Sequence, residues 1–209
     1  MKVCGITFFV HWSFAASMIF LLGFALTSTA GWGYLFLFLP DLLRWVLSVM
    51  IVLLVHEAGH AMTSVLLGKR VRSVGLIAFG AVTLIEDLEY ASDEQQLLVI
   101  AAGPISSLAF AGAAFALWQG SEIASISMSA SIGFFNAVPI YPLDGGRIMH
   151  IASRRLQQKT VRLTTGSVSL VACVVVMVLM LQREDIVSAV LVFIVHIIGL
   201  TVLIKEAST

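Results

Sequence analysis

Charge is missing from most of this sequence, and the placement of the uncharged stretches limits what the chain can fold into. No Asp, Glu, Lys or Arg lies between Lys2 and Asp41, Glu94 and Glu122, Glu122 and Asp144, Arg162 and Arg183, or Asp185 and Lys205; Trp45 to Gly68 carries only Glu57. A charge at the bilayer centre costs about 2.5–3.5 kcal/mol on insertion scales, and a helix needs about 20 residues to cross. The runs predict an all-α polytopic membrane protein with about six transmembrane helices, near 13–30, 43–67, 97–118, 123–137, 166–182 and 186–204. Gly31, Gly33 and Pro40 interrupt the first run, so its tail is expected to be an outer loop or hairpin.

Composition agrees: 59% of residues are hydrophobic and 11% charged, where a soluble domain carries about a quarter charged. Twelve Lys and Arg balance twelve Asp and Glu, which leaves no excess to hold a polyanion and excludes nucleic acid as a partner. Cys4 and Cys173 form no CxxC or Cys/His cluster and read as small core residues. The first apolar stretch is too long for a signal peptide and is expected to stay in the mature protein. With the N-terminus in the cytoplasm, ten of the twelve Lys and Arg fall inside and only Arg44 and Arg183 outside, so both termini are expected to be cytoplasmic. One membrane domain over 1–209 is expected, with core motifs at 43–155 and C-terminal helices at 166–204.

The only acid of the second span lies in VLLVHEAGHAM. His56 and His60, four apart, project from one helix face and can hold one metal ion, while Glu57 can reach a water on that metal. A catalytic zinc site typically has three protein ligands and an open position. The candidate third ligand is Asp144 in NAVPIYPLDGGR, where Pro139 and Pro142 forbid a regular helix and Gly145 and Gly146 permit a tight turn. Irregular backbone at membrane depth is tolerated where protein or a water-filled cavity surrounds it. His60 lies about 10 Å from the cytoplasmic end of its span and Asn136 about 9 Å from the same face, so the two motifs can meet. Thr63 and Ser64, below His60, are compatible with a wet path from the cytoplasm.

HEAGH in an apolar helix, followed by N-x-x-P-x-x-P-L-D-G-G, resembles the site-2 protease family of intramembrane zinc metalloproteases. VHWSF at 10–14, AFGAV at 78–82 and AAGP at 101–104 are similar to other stretches of that family. The resemblance implies that His56, His60 and Asp144 bind one Zn2+ per chain, that Glu57 is the catalytic carboxylate, and that Asn136 sits near the scissile carbonyl. It implies cleavage of a membrane-protein substrate within or near a transmembrane segment. The implied partners are that substrate, the lipid bilayer and a regulatory membrane partner. Two departures stand out: Ser107 replaces an Asn common after the Gly-Pro, which bears on local packing, and PDZ or CBS domains are missing, which implies a minimal form.

A divalent-cation transporter or other metal-binding membrane protein would use the same ligands but needs no acid-base carboxylate beside them, so Glu57 discriminates. Between Arg72 and Glu86 the chain reads SVGLIAFGAVTLI, broken by Gly75 and Gly80, which suits a short membrane-associated strand or hairpin near 73–85. Its edge at Phe79, Gly80, Ala81, Val82 and Thr83 is expected to receive extended substrate by β-augmentation. His11 reads as an interfacial residue, His150 as part of a basic cytoplasmic segment, His196 as an interhelical hydrogen-bond partner, and Arg147, Arg154, Arg155, Lys159 and Arg162 as the basic cytoplasmic face.

Overall fold

The computed structural model describes residues 2–3, 5–29, 35–78, 80–117, 123–155, 158–182, 192–194 and 196–201. Strands β1 (Lys2–Val3) and β2 (Ile6–Val10) precede helices α1 (Trp12–Thr29) and α2 (Leu35–Leu66). The hairpin β3 (Val71–Ile77) and β4 (Gly80–Ile85) follows, then α3 (Asp93–Leu117), α4 (Ile123–Ala137), α5 (Asp144–Ala152), α6 (Gln158–Leu181) and the helical residues of α7 (Val192–Thr201).

Polarity is distributed unlike that of a soluble protein. The buried side chains include His56, Glu57, Ser107, Asp144, Ser169 and His196, while Ile19, Phe20, Leu66, Phe115 and Leu117 point outward. Hydroxyls and imidazoles in the interior, with large apolar groups outside, suit a chain surrounded by hydrocarbon. Among the described residues, two helices are long and apolar enough to cross a membrane, Val46–Leu66 and Asp93–Leu117.

The all-α expectation needs correcting, because a four-stranded sheet in the order β1-β2-β3-β4 accompanies the helices. The hairpin lies where the Val- and Ile-rich segment 73–85 placed it. Residues 2–3 and 6–10 also form strands, with β2 parallel to β3 in the register Thr7↔Ser73 and Phe8↔Val74. They escaped the sequence reading because an uncharged run measures polarity and not period, so a short strand merges with the helix behind it. Val71 and Val74 pack on Ala61 of α2, with Ile6, Phe8 and Ile85 around them, which fixes the sheet against the helix that carries HEAGH.

The second span starts earlier than expected: α2 begins at Leu35 and runs through Pro40. Pro40 stands sixth in the helix, just past the first turn, so it costs the helix one N–H bond, the one that would reach back four residues. Gly31 and Gly33 fall outside the described residues. The other end closes on Gly68 at φ 72, with Lys69 N–H donating to the Ser64 carbonyl (2.8 Å) and Gly68 N–H to that of Val65 (2.9 Å). This Schellman arrangement turns the chain straight into β3. Helix α3 starts on Ser92, whose Oγ accepts the Gln95 backbone N–H at 3.3 Å, a side-chain N-cap.

Helix α4 has 15 residues, about 22 Å of rise against a hydrocarbon core of about 30 Å. It is too short to cross alone, and the chain continues through Pro139 and Pro142 into α5, whose first residue is Asp144. The expected tight turn at Gly145 and Gly146 is absent, since both belong to the first turn of α5. A methyl group on Gly145 would collide with the Ala137 carbonyl, and one on Gly146 with the Tyr141 backbone. These glycines serve close approach.

The sheet assignment makes a direct prediction. In a variant lacking the native cysteines, Thr7→Cys with Ser73→Cys should crosslink through a short bifunctional thiol reagent, measured by loss of two-fragment products after proteolysis between them. Thr7→Cys with Leu76→Cys should not, being three residues out of register.

Candidate active site

On α2 the four-residue spacing sets the His56 and His60 rings 5.0 Å apart, edge to face at 83°. Helix α3 crosses at this level and answers the nitrogens turned away from the site. His60 Nδ1–H donates to the Val99 carbonyl at 2.8 Å, and His56 Nδ1 lies 3.0 Å from the Ser107 hydroxyl. Donation from Nδ1 leaves the Nε2 lone pair free in a neutral imidazole. Both Nε2 atoms meet the same oxygen, Asp144 Oδ2, at 3.1 Å from His56 and 3.4 Å from His60.

Those separations fit a metal centre. Bonds of about 2.0–2.2 Å in a tetrahedron set neighbouring ligand atoms about 3.3–3.5 Å apart. Glu57 also has a carboxylate oxygen within 4.8 Å of the ligand atoms of His56 and His60. Asp144 is the better-placed candidate for a third ligand, because one of its oxygens stands within about 0.2 Å of that edge length from both nitrogens. Glu57 is then left beside the centre as a buried acid. Arg147 Nη1 lies 3.8 Å from the other oxygen, Asp144 Oδ1.

A cavity of about 700 Å³ opens on this cluster, lined by His56, Glu57, His60, Asn136 and Asp144. Asn136 keeps one amide N–H on the Ile132 carbonyl at 3.0 Å. Ala81, Val82 and Thr83 of β4 form part of the wall, and Thr83 Oγ1–H donates to the Glu57 carbonyl at 3.4 Å. Among the expected strand residues, Gly80 belongs to β4 but not to the wall, and Phe79 lies outside the described residues. As the last strand in the order, β4 pairs with β3 on one side.

Several details differ from the sequence reading. Ser107 bears on the His56 ring itself and so on more than local packing. Ser64 is no part of a wet path, being fully buried with its hydroxyl on the His60 carbonyl at 2.7 Å. Of the basic face, Arg147 and Arg154 line the cavity together with His150, and Arg154 Nη1 bridges Asp93 and Gln96 at 3.2 Å each. Gly103 was not singled out, yet a methyl group there would strike both imidazoles. Its one signal was its place in AAGP.

The chain belongs to peptidase family M50, which it matches over residues 45–126 and 121–181. It is 30% identical to stage IV sporulation protein FB of Bacillus subtilis over 118 residues, 52% of this chain and 40% of that protein. It is 25% identical to zinc metalloprotease MJ0392 of Methanocaldococcus jannaschii over 158 residues, 71% of this chain and 43% of that protein. The chain thus spans less than half the length of these curated relatives. Its fold is that of the site-2 protease from Methanocaldococcus jannaschii, with a TM-score of 0.65 at 18% identity, over 96% of this chain and 92% of that one. The chain is membrane-embedded, as the family is.

Ser107→Ala should weaken divalent-metal binding about 10–100-fold, the usual effect of removing a partner behind a ligating imidazole. Competition with a chelator measures this, and wild-type affinity in the variant would detach Ser107 from the ligand.

Proposed function

We propose that this chain is a membrane-embedded zinc metalloprotease that cleaves a peptide bond within or near a transmembrane segment of a membrane-protein substrate. The observation that carries this reading is the single Asp144 oxygen 3.1 and 3.4 Å from the two HEAGH imidazoles, with the Glu57 carboxylate buried beside them. His56, His60 and Asp144 hold one zinc per chain, which when bound supplies the Lewis acidity that acidifies a water and polarises a carbonyl.

Glu57 accepts the proton of the attacking water as its oxygen adds to the carbonyl carbon. It then delivers that proton to the nitrogen as the C–N bond breaks, leaving a carboxyl and an amine. Asn136, on the cavity wall, donates an amide N–H to the oxyanion. The β4 edge at Ala81–Thr83 (81–83), with Phe79 and Gly80 ahead of it, holds the substrate extended, replacing hydrogen bonds lost when its helix unwinds. The chain makes about six crossings as one membrane domain, by α1, α2, α3, α6 and α7 and by α4 together with the segment that continues it into α5, with both termini cytoplasmic. A regulatory membrane partner would act on access to the cavity. A cation transporter has no role for Glu57, and nothing among the described residues favours that reading.

Glu57→Gln should retain zinc and lose cleavage by about 10²–10⁴-fold, the range general acid-base catalysis contributes, measured on a membrane-protein substrate in proteoliposomes. Turnover within a few-fold of wild type would overturn the mechanism. Asp144→Ala should lose zinc by elemental analysis, and full occupancy would reopen the search for the third ligand. Val82→Pro removes one backbone donor from β4 and should slow cleavage with zinc content unchanged. If cysteines at 80–83 fail to crosslink to a substrate trapped on Glu57→Gln, while cysteines near Asn136 succeed, the strand has no part in binding.

A further inference from the structure

The segment that delivers Asp144 to the imidazoles is irregular from Val138 to Leu143, and it is anchored on α6 and α7. Ile140, fully buried, packs with Cys173 of α6 and Val192 of α7. The next residue donates its backbone N–H to a side chain: Tyr141 N lies 3.2 Å from Ser169 Oγ on α6. Ser169 Oγ is in turn 3.0 Å from His196 Nδ1 on α7. Ser169 and His196 are both 1% exposed. Gly199, one turn beyond His196, lies so close to the Tyr141 carbonyl and the Pro142 nitrogen that any side chain would collide with them.

The behaviour of other helical hydroxyls here gives the His196 contact its meaning. Ser17, Ser64 and Thr201 donate to a carbonyl one turn back in their own helix, the default for a hydroxyl in an apolar helix. Hydroxyls that reach a second helix tie the centre's surroundings together: Ser106 reaches the Val55 carbonyl of α2 and Ser129 the Ser107 carbonyl of α3, and Ser169 joins this group by bonding to another helix and to the loop. The Ser169 hydroxyl accepts the Tyr141 N–H and shares a hydrogen bond with His196 Nδ1, while the buried Nε2 of the same ring has no partner among the described residues. The three groups form one hydrogen-bonded chain, from the Tyr141 N–H through the Ser169 hydroxyl to the imidazole, whose members polarise one another.

We propose that Ser169 and His196 are positioning residues for the metal centre: α7 holds the hydroxyl of α6 in the orientation that pins Tyr141, three residues before Asp144, and so sets where the Asp144 carboxylate stands. The inference rests on the reading of Asp144 as a ligand and extends the centre's support to a helix that contributes no ligand.

The test uses the full chain in lipid nanodiscs with zinc as the probe. His196→Leu keeps bulk and removes the hydrogen-bond partner of Ser169. It should raise the zinc dissociation constant about 10–100-fold and, in metal-free protein, speed amide exchange across 138–144. His196→Asn places a carboxamide oxygen near the Nδ1 position and should restore both toward wild type, which a loss of packing would not allow. Ser169→Ala should reproduce His196→Leu, and the double variant should be no worse than either alone because the two act in series. Wild-type affinity and exchange in His196→Leu, no rescue by Asn, or additive losses would each overturn the proposal. Zinc affinity indifferent to Asp144→Ala would instead sink the ligand reading, while the exchange data would still report on the hydrogen-bond chain.

Discussion

Two imidazoles and two carboxylates buried within a few ångströms of one another persist in this apolar chain only if the protein answers their polar atoms, because hydrocarbon offers no hydrogen bonds. The architecture around HEAGH follows from that demand. Helix α3 comes close enough to turn the Val99 carbonyl and the Ser107 hydroxyl onto the two Nδ1 atoms, and closeness requires the bare backbone of Gly103. Asp144 arrives from the other side on the first turn of α5, and Gly145 and Gly146 let that turn nest against the end of α4.

The same demand explains why the carboxylate arrives on a broken helix. A continuous α4 would keep its backbone satisfied internally and carry its side chains past the site at regular spacing. Ending at Ala137 leaves carbonyls and N–H groups that need partners, and Val138 to Leu143 find them in local turns and in Ser169. Apolar anchorage does the rest, with Ile140 sunk between α6 and α7. The helices beyond the two motifs thus help build the centre, although they contribute none of its proposed ligands.

The sheet adds a second kind of constraint. Its parallel β2–β3 pair ties the N-terminal segment to the end of β3, where the His11 N–H donates to the Leu76 carbonyl at 2.9 Å and the Ala78 N–H to Ser13 Oγ at 3.1 Å. The sheet then rests on α2 through Ala61 and presents β4 to the cavity. Strand β4 stands beside Glu57 because Ala61, Val71 and Val74 share one apolar cluster.

Much was legible in the sequence where a residue's cost is local. A charge or imidazole inside an uncharged run is expensive wherever the chain goes, so His56, Glu57, His60 and Asp144 stood out, and Val- and Ile-rich spacing marked the β3–β4 hairpin. Residues whose value lies in a partner far along the chain were hidden. Gly103, Ser169 and Gly199 are ordinary small residues of apolar helices until α3, α5 and α7 are packed against what they serve, and Ser107 showed only as a departure from the family pattern. Strand β2 exists through pairing with β3, 66 residues away in the register Thr7↔Ser73, and no local period announces a partner at that distance. The sequence by itself determined which groups must be sheltered from lipid, since transfer free energy belongs to the residue. The tertiary structure alone decided which atoms shelter them, since a hydrogen bond needs a distance and an angle that only packing supplies.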